Sequence, residues 1–346
     1  MTVFEADPVS CISAQIETAA SLAELRDSAQ RIDALIVRAH AGGTPAWQIA
    51  QQVGVLNGSL FARLWTLQAP PELVAQSCLL VMGSEGRGEQ ILKTDQDNAL
   101  LLRDGVAFPG LEGIAQGFNA ALAELGYPRC PGDIMLTNPL WRQPLAAFCD
   151  TLRGWLYGPT PGNDGPMHLA IFFDAAAVAG DATLLEQARE YLTAVLSDND
   201  AFLARFAAAA DQFPEPGGWF TRLVTRRDEP PLDLKKLGTF PIVHGVRALS
   251  LQYRVREPGT VARLGQLAAQ QHVGHTLARD LCDALHALMQ VRLAHQLRQR
   301  QRGETPGNEV RPSALEPLER GLLRDALAVV KGFRQFLRQH YHLDLL

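Results

Sequence analysis

Val81-Met-Gly-Ser-Glu-Gly-Arg-Gly-Glu-Gln-Ile-Leu-Lys-Thr-Asp-Gln-Asp-Asn98 is the segment on which the reading of this chain turns. It follows the apolar run Ser77-Cys-Leu-Leu-Val-Met82 and leads into a second one, Asn98-Ala-Leu-Leu-Leu102. Runs of that length bounded by turns suit buried strands, although periodicity alone leaves a helix open. Gly83, Gly86 and Gly88 mark a turn where backbone approaches something closely. Backbone N–H groups in such a turn can cradle phosphate, and a helix starting nearby adds a favourable dipole. Ser84 offers a hydroxyl and Arg87 a fixed charge. No Gly-Lys-Ser/Thr follows, so this is not a P-loop, and the dinucleotide fingerprint is absent as well.

Asp95 and Asp97 form the second element. Residues two apart on a strand point to one face. Two carboxylates so placed repel each other unless a cation lies between them, and magnesium, or manganese in its place, favours such oxygen ligands together with waters and substrate phosphates. Two ions about 4 Å apart can clamp the attacking and leaving oxygens of a phosphoryl displacement. A third carboxylate normally completes the cage. Asp174 is the candidate, because it ends the run His168-Leu-Ala-Ile-Phe-Phe173, read as a third strand; a helix cap or a plain loop carboxylate is the competing reading. A glycine turn alone is more often only a turn, and an Asp-x-Asp alone more often a solvated pair. Their combination, each beside a buried-looking run, is what points to chemistry.

Outward from this centre, the chain is helical on both sides. Ile16, Leu22, Leu25, Ile32 and Ile36 recur at helical spacing. Gly42-Gly43 breaks that helix, and Thr44-Pro45 reads as an N-cap with proline in the first turn of a helix running to about Leu67. Leu111 to Leu125 reads as helix, and Tyr127 to Pro139 as loop with a short strand. Beyond Asp181, Thr183-Leu-Leu-Glu186 and Ser313-Ala-Leu-Glu316 read as capping boxes. Leu277, Leu281, Leu285 and Leu288 mark one helix face. Leu318, Leu322, Ala326, Val329, Phe333 and Phe336 mark another. These predict an α+β fold: a small mixed sheet with helices over 71–180, an N-terminal helical segment over 1–70, and a C-terminal helical bundle over 181–346.

The 346 residues exceed one simple core. Composition is that of a globular protein, 47% hydrophobic and 20% charged. No long apolar run predicts a membrane span, and the start MTVFEADPVSCISAQIE has no secretory pattern. Five scattered cysteines, Cys11, Cys78, Cys130, Cys149 and Cys282, argue against a disulfide framework or zinc knuckle and predict a reducing cytoplasm. The net charge of -5 argues against general nucleic-acid binding. His272 and His275 lack a third ligand nearby, so zinc is not expected. Arg292, Arg298, Arg300 and Arg302 suit a helix C-terminus.

The Gly-Ser turn followed by Asp-x-Asp resembles the nucleotidyltransferase superfamily typified by DNA polymerase beta and kanamycin nucleotidyltransferase. The string GSEGRGEQILKTDQDNALLL is closer to one branch, the nucleotidyltransferases often fused to CBS and cyclic-nucleotide-binding domains in bacterial signalling proteins, related to protein-PII uridylyltransferases and glutamine-synthetase adenylyltransferases. Cys130 to Arg142, His168 to Asp181, Leu232 to Leu251 and the segment RLAHQLRQRQRGETPGNEV are similar to that family too. The resemblance implies transfer of a nucleoside monophosphate from an NTP to a hydroxyl on a protein, such as a regulatory protein, or on a small molecule. It implies that Gly83 and Ser84 hold the triphosphate, that Asp95, Asp97 and Asp174 hold magnesium, and that Lys235 reaches a phosphate; a solvated charge is the competing reading of Lys235. No CBS or cyclic-nucleotide-binding segment precedes the motif, so regulation through the N-terminal helices by a separate partner is expected. The alternative function is a nucleotide-binding regulatory module that has lost transfer.

Overall fold

The computed structural model describes residues 7–158, 164–196, 199–213 and 231–345; the first six residues of the N-terminal reading lie outside them. The chain divides into two compact units, residues 1–44 with 48–197 and residues 45–47 with 198–346.

The first unit opens with three helices, α1 (Pro8–Thr18), α2 (Leu22–Ala41) and α3 (Ala46–Gln68). Ser21 caps α2 by accepting from the Glu24 N–H, and Gly42 ends it. After the short α4 (Pro71–Ala75) come β1 (Ser77–Val81), the single turn α5 (Gly83–Gly86), β2 (Asn98–Leu102), α6 (Leu111–Glu124), β3 (Arg142–Pro144), α7 (Leu145–Tyr157), α8 (Gly165–Phe173), β4 (Ala176–Gly180) and α9 (Thr183–Val195). The sheet order is β3-β2-β1-β4. β1 runs antiparallel to β2, Ser77 facing Leu102 and Val81 facing Asn98, and antiparallel to β4; β2 and β3 are parallel. Every residue of β1 and β2 is buried, which is why both read as unbroken apolar runs. Aromatic side chains fill the space between helices. Trp65 of α3 meets Phe118 of α6 edge-on at 5.4 Å, and Phe148 of α7 meets Phe172 of α8 at 4.9 Å.

His168-Leu-Ala-Ile-Phe-Phe173, expected as a strand, is instead the body of α8. Pro166 sits in its first turn, where a missing N–H costs nothing. The strand comes just after it, in Ala176–Gly180, an alanine-rich edge with no apolar signal of its own. The start of α9 also differs: Ala182 stands at its N-cap with no side-chain cap bond, and Thr183 donates its N–H and hydroxyl to Asp181 Oδ1.

The second unit is a helical bundle: α10 (Asp200–Ala208), α11 (Phe240–Gln252), α12 (Thr260–Ala269), α13 (His275–Gln301) and α14 (Pro317–Tyr341). Arg298, near the end of α13, grips Glu319 in the first turn of α14 with two bonds of 2.8 and 3.0 Å, so these long helices lie antiparallel. Glu319 also completes the capping box with Glu316, one turn after the expected Ser313; Pro317 fixes that start. The buried stripe of α14 is Leu323, Ala326, Val330, Phe333 and Leu337. Leu318 and Leu322 are 76% and 38% exposed, because two apolar stripes compete on this helix and only one faces its neighbours. β5 (Leu232–Asp233) pairs with β6 (Glu309–Val310) and leads into a π-type turn, Lys235–Thr239, that continues as α11. No helix among the described residues is long and apolar enough to cross a membrane.

Candidate active site

β1 delivers Met82 in extended backbone to the glycine turn. Gly83 has φ +57°, the left-handed region that a Cβ disfavours. Space gives a second reason: a Cβ at this position would lie 2.8 Å from Oδ2 of Asp97. The Asp97 carboxylate thus fills the volume that a side chain at 83 would need. The two segments are also tied through backbone, the Met82 N–H donating to the Asp97 carbonyl at 2.9 Å. With only four residues, α5 carries little dipole. What it presents is its opening N–H groups, which have no carbonyl one turn back.

Along the segment entering β2, Asp95 is exposed, Gln96 buried, Asp97 half-buried and Asn98 buried. That alternation buries the two amides and leaves both carboxylates at least partly exposed. Asp97 also accepts from the Cys130 thiol; burial, reinforced by the Asp97 charge, pushes this thiol up to about 11. Ser84 Oγ and Thr94 Oγ1 both donate to Gln90 Oε1 at 2.9 Å, closing the loop between turn and strand.

The N-terminal helices brace this loop. Lys93 Nζ donates to Asp33 of α2 at 2.6 Å and to the Ala29 carbonyl at 3.1 Å. Asn57 of α3 donates to Glu85 Oε2 at 3.4 Å and accepts from the Tyr127 hydroxyl at 2.7 Å. Burial pushes the Glu85 carboxyl up to about 8, against a smaller opposing effect from the Asn57 bond.

Arg87 and Asp174 meet each other rather than a shared ligand face. Arg87 Nη1 donates to Asp174 Oδ2 at 2.5 Å, and its Nε to Glu89 Oε2 at 2.6 Å. Burial alone disfavours the guanidinium charge, but the two carboxylates outweigh it and raise its pKa. Asp174 caps the end of α8 and is fully buried. A Cβ on Gly86 would overlap the carbonyl oxygens of Asp174 and Val81, so the turn lies directly on the α8–β4 junction. Among the described residues, no three His, Cys, Asp or Glu side chains are grouped to hold a metal ion. The structure therefore sets Asp97 beside Gly83, leaves Asp95 exposed two residues before it, and engages Asp174, expected as the third ligand, and Arg87, expected at the phosphates, in an internal ion pair. Lys235 belongs to the second unit, exposed at the start of its π-type turn. Gln90, Gln96, Asn57 and Cys130 escaped the sequence reading; the polar alternation Asp-Gln-Asp-Asn before an apolar strand is the one local signal that could have flagged Gln96.

The small mixed sheet thus carries a glycine turn directly after β1 and two carboxylates just before β2. Residues 30–162 match the family described as "Putative nucleotidyltransferase DUF294", and residues 200–341 match the one described as "Putative nucleotidyltransferase substrate binding domain". The chain belongs to this nucleotidyltransferase family, one of its two domains falling in each compact unit. No curated protein matches it.

Proposed function

We propose that the first unit transfers a nucleoside monophosphate from an NTP to an acceptor hydroxyl, with pyrophosphate leaving, and that the second unit holds the acceptor. The observation that carries this reading is the Asp97 carboxylate lodged in the side-chain space of Gly83. It sets a hard oxygen donor against bare backbone, the pairing that a metal-bound triphosphate requires. Magnesium, or manganese, fits Asp95 and Asp97: both are carboxylates, they stand two residues apart, and neither is fully buried. When bound, the cation supplies neutralisation of the triphosphate and of the leaving pyrophosphate. Gly83 and Ser84 hold the phosphates through their N–H groups, and the bare Cα of Gly83 allows close approach. In this scheme Arg87 and Asp174 lock the turn from behind. Lys235 is assigned to an anionic group of the substrate in the second unit. The acceptor is a protein hydroxyl, as in the uridylyltransferases, or a small molecule, and a role in bacterial signalling follows from the former.

A second reading is a nucleotide-binding regulatory module without transfer. The Arg87–Asp174 pair favours it, since that pair withholds the carboxylate expected to activate the acceptor. A thermal-shift panel of ATP, GTP, CTP and UTP, with and without magnesium, tests both. A magnesium-dependent shift that the Asp95→Asn/Asp97→Asn variant loses is expected, and it names the donor. Nucleotide binding with no pyrophosphate release in any acceptor screen selects the regulatory reading. No shift with any nucleotide overturns both.

A further inference from the structure

Behind the acidic pair lies a cluster of buried amides. Gln96 is 4% exposed, Asn98 3% and Asn119, on α6, not at all. Gln96 Nε2 donates to the backbone carbonyls of Asn119 at 3.2 Å and Tyr127 at 3.0 Å. Its Oε1 accepts from Asn119 Nδ2, which also donates to Asn98 Oδ1 at 3.1 Å. Asn98 Oδ1 takes a further bond from the Leu136 N–H at 3.0 Å. The Gln96 backbone is fixed as well, its N–H donating to the Pro128 carbonyl at 3.0 Å. Both ends of the Gln96 amide are therefore bonded, by groups from α6 and from Tyr127, while Asn119 Oδ1 is buried without a hydrogen-bond partner.

Stability alone does not call for this arrangement. The four residues after Asn98 are Ala99, Leu100, Leu101 and Leu102, and an apolar side chain at 96 would bury as readily. A buried amide bonded at both ends, as Gln96 is, by contrast has one favoured orientation and rigidifies the backbone that carries it. Gln96 is flanked on both sides by the two carboxylates, and its backbone bridges to Arg129, so pinning it inward fixes the backbone that carries Asp95 and Asp97. Two like charges so close in the chain repel, and a loosely anchored segment would relieve that by twisting one of them away.

We propose that Gln96 and Asn119 are positioning residues for Asp95 and Asp97, holding the carboxylates in the register that receives a divalent cation. This rests on the metal-dependent reading above. The test measures binding of Mn2+ alone to the full chain, by the EPR signal of the free ion, with thermal unfolding in parallel. Wild type is compared with Gln96→Met, Asn119→Ala, Asp95→Asn/Asp97→Asn, and Leu122→Ala as a core variant outside the network. Loss of groups that orient metal ligands typically weakens metal affinity by about 10-fold or more. The expected result is about a 10-fold weaker Mn2+ affinity for Gln96→Met and Asn119→Ala, while Leu122→Ala lowers the melting temperature and leaves Mn2+ affinity unchanged. If Gln96→Met does not fold, Asn119→Ala, which only shortens a side chain, decides. Wild-type affinity in the folded network variants overturns the positioning role and leaves the metal site standing. Affinity that falls equally in Leu122→Ala overturns it too, since general loosening then suffices. Absence of Mn2+ binding in wild type, or its survival in the double aspartate variant, overturns the metal site and this proposal together.

Discussion

Glu85 shows how a single residue beside the site couples stability to pH. Its carboxyl titrates near 8 in the folded chain, raised by burial from an ordinary 4.5. A raised acid pKa means that the folded state favours the protonated form. Its contribution is thus fully present below about pH 4.5 and is lost as pH rises toward 8. Glu85→Gln keeps an amide in place of the neutral acid and removes that loss. The melting temperature of this variant should match wild type near pH 4.5 and exceed it by several degrees at pH 8, as thermal unfolding across that range will show; parallel curves would refute the buried acid. Other residues at this scale divided by how local their signal is. Gly83, Ser84, Asp95 and Asp97 stand out as candidates in the sequence because glycine turns and carboxylate pairs act within a few positions. Gln96 does not, because what buries it is Asn119, brought in by the packing of α6 onto the strand entrance.

Among elements, α8 is the instructive departure. Its apolar run has no period that separates helix from buried strand, and the proline that starts the helix lies two residues before His168. Placing the strand one step later changes what Asp174 is: the cap of a helix at a junction, fastened to the glycine turn through Arg87. Asp174→Asn leaves a buried guanidinium with one carboxylate instead of two. Breaking a buried pair from one side costs about 3 kcal/mol, measurable by urea unfolding, while Mn2+ affinity should stay at the wild-type value. Loss of Mn2+ binding with unchanged stability would restore Asp174 to the metal. β1 and β2, by contrast, were readable in full, since burial of both faces leaves nothing but apolar residues between two turns.

At the scale of the molecule, each of the two family descriptions falls on one compact unit, residues 30–162 on the first and 200–341 on the second. Donor and acceptor are then expected to leave separate footprints. Hydrogen exchange with a magnesium nucleotide should slow amides between Met82 and Asn98 and leave the segment from Leu232 to Leu251 unchanged; that second segment should respond only to the acceptor. Protection of both by the nucleotide alone would contradict the division. The shift from strand-like runs to capped helices led to expected divisions at 70 and 180, whereas the two compact units divide between 197 and 198 and α9 belongs to the first. The N-terminal helices joined the first unit through Lys93, Asn57 and their partners, contacts between distant segments that leave no local pattern.

The tenancy of the Asp97 carboxylate in the space beside Gly83 has a genetic corollary. One added methyl group at position 83 evicts the carboxylate without altering the net charge or touching either acid. On the proposed function, a glycine-to-alanine allele is therefore expected to weaken the gene product without removing a charge.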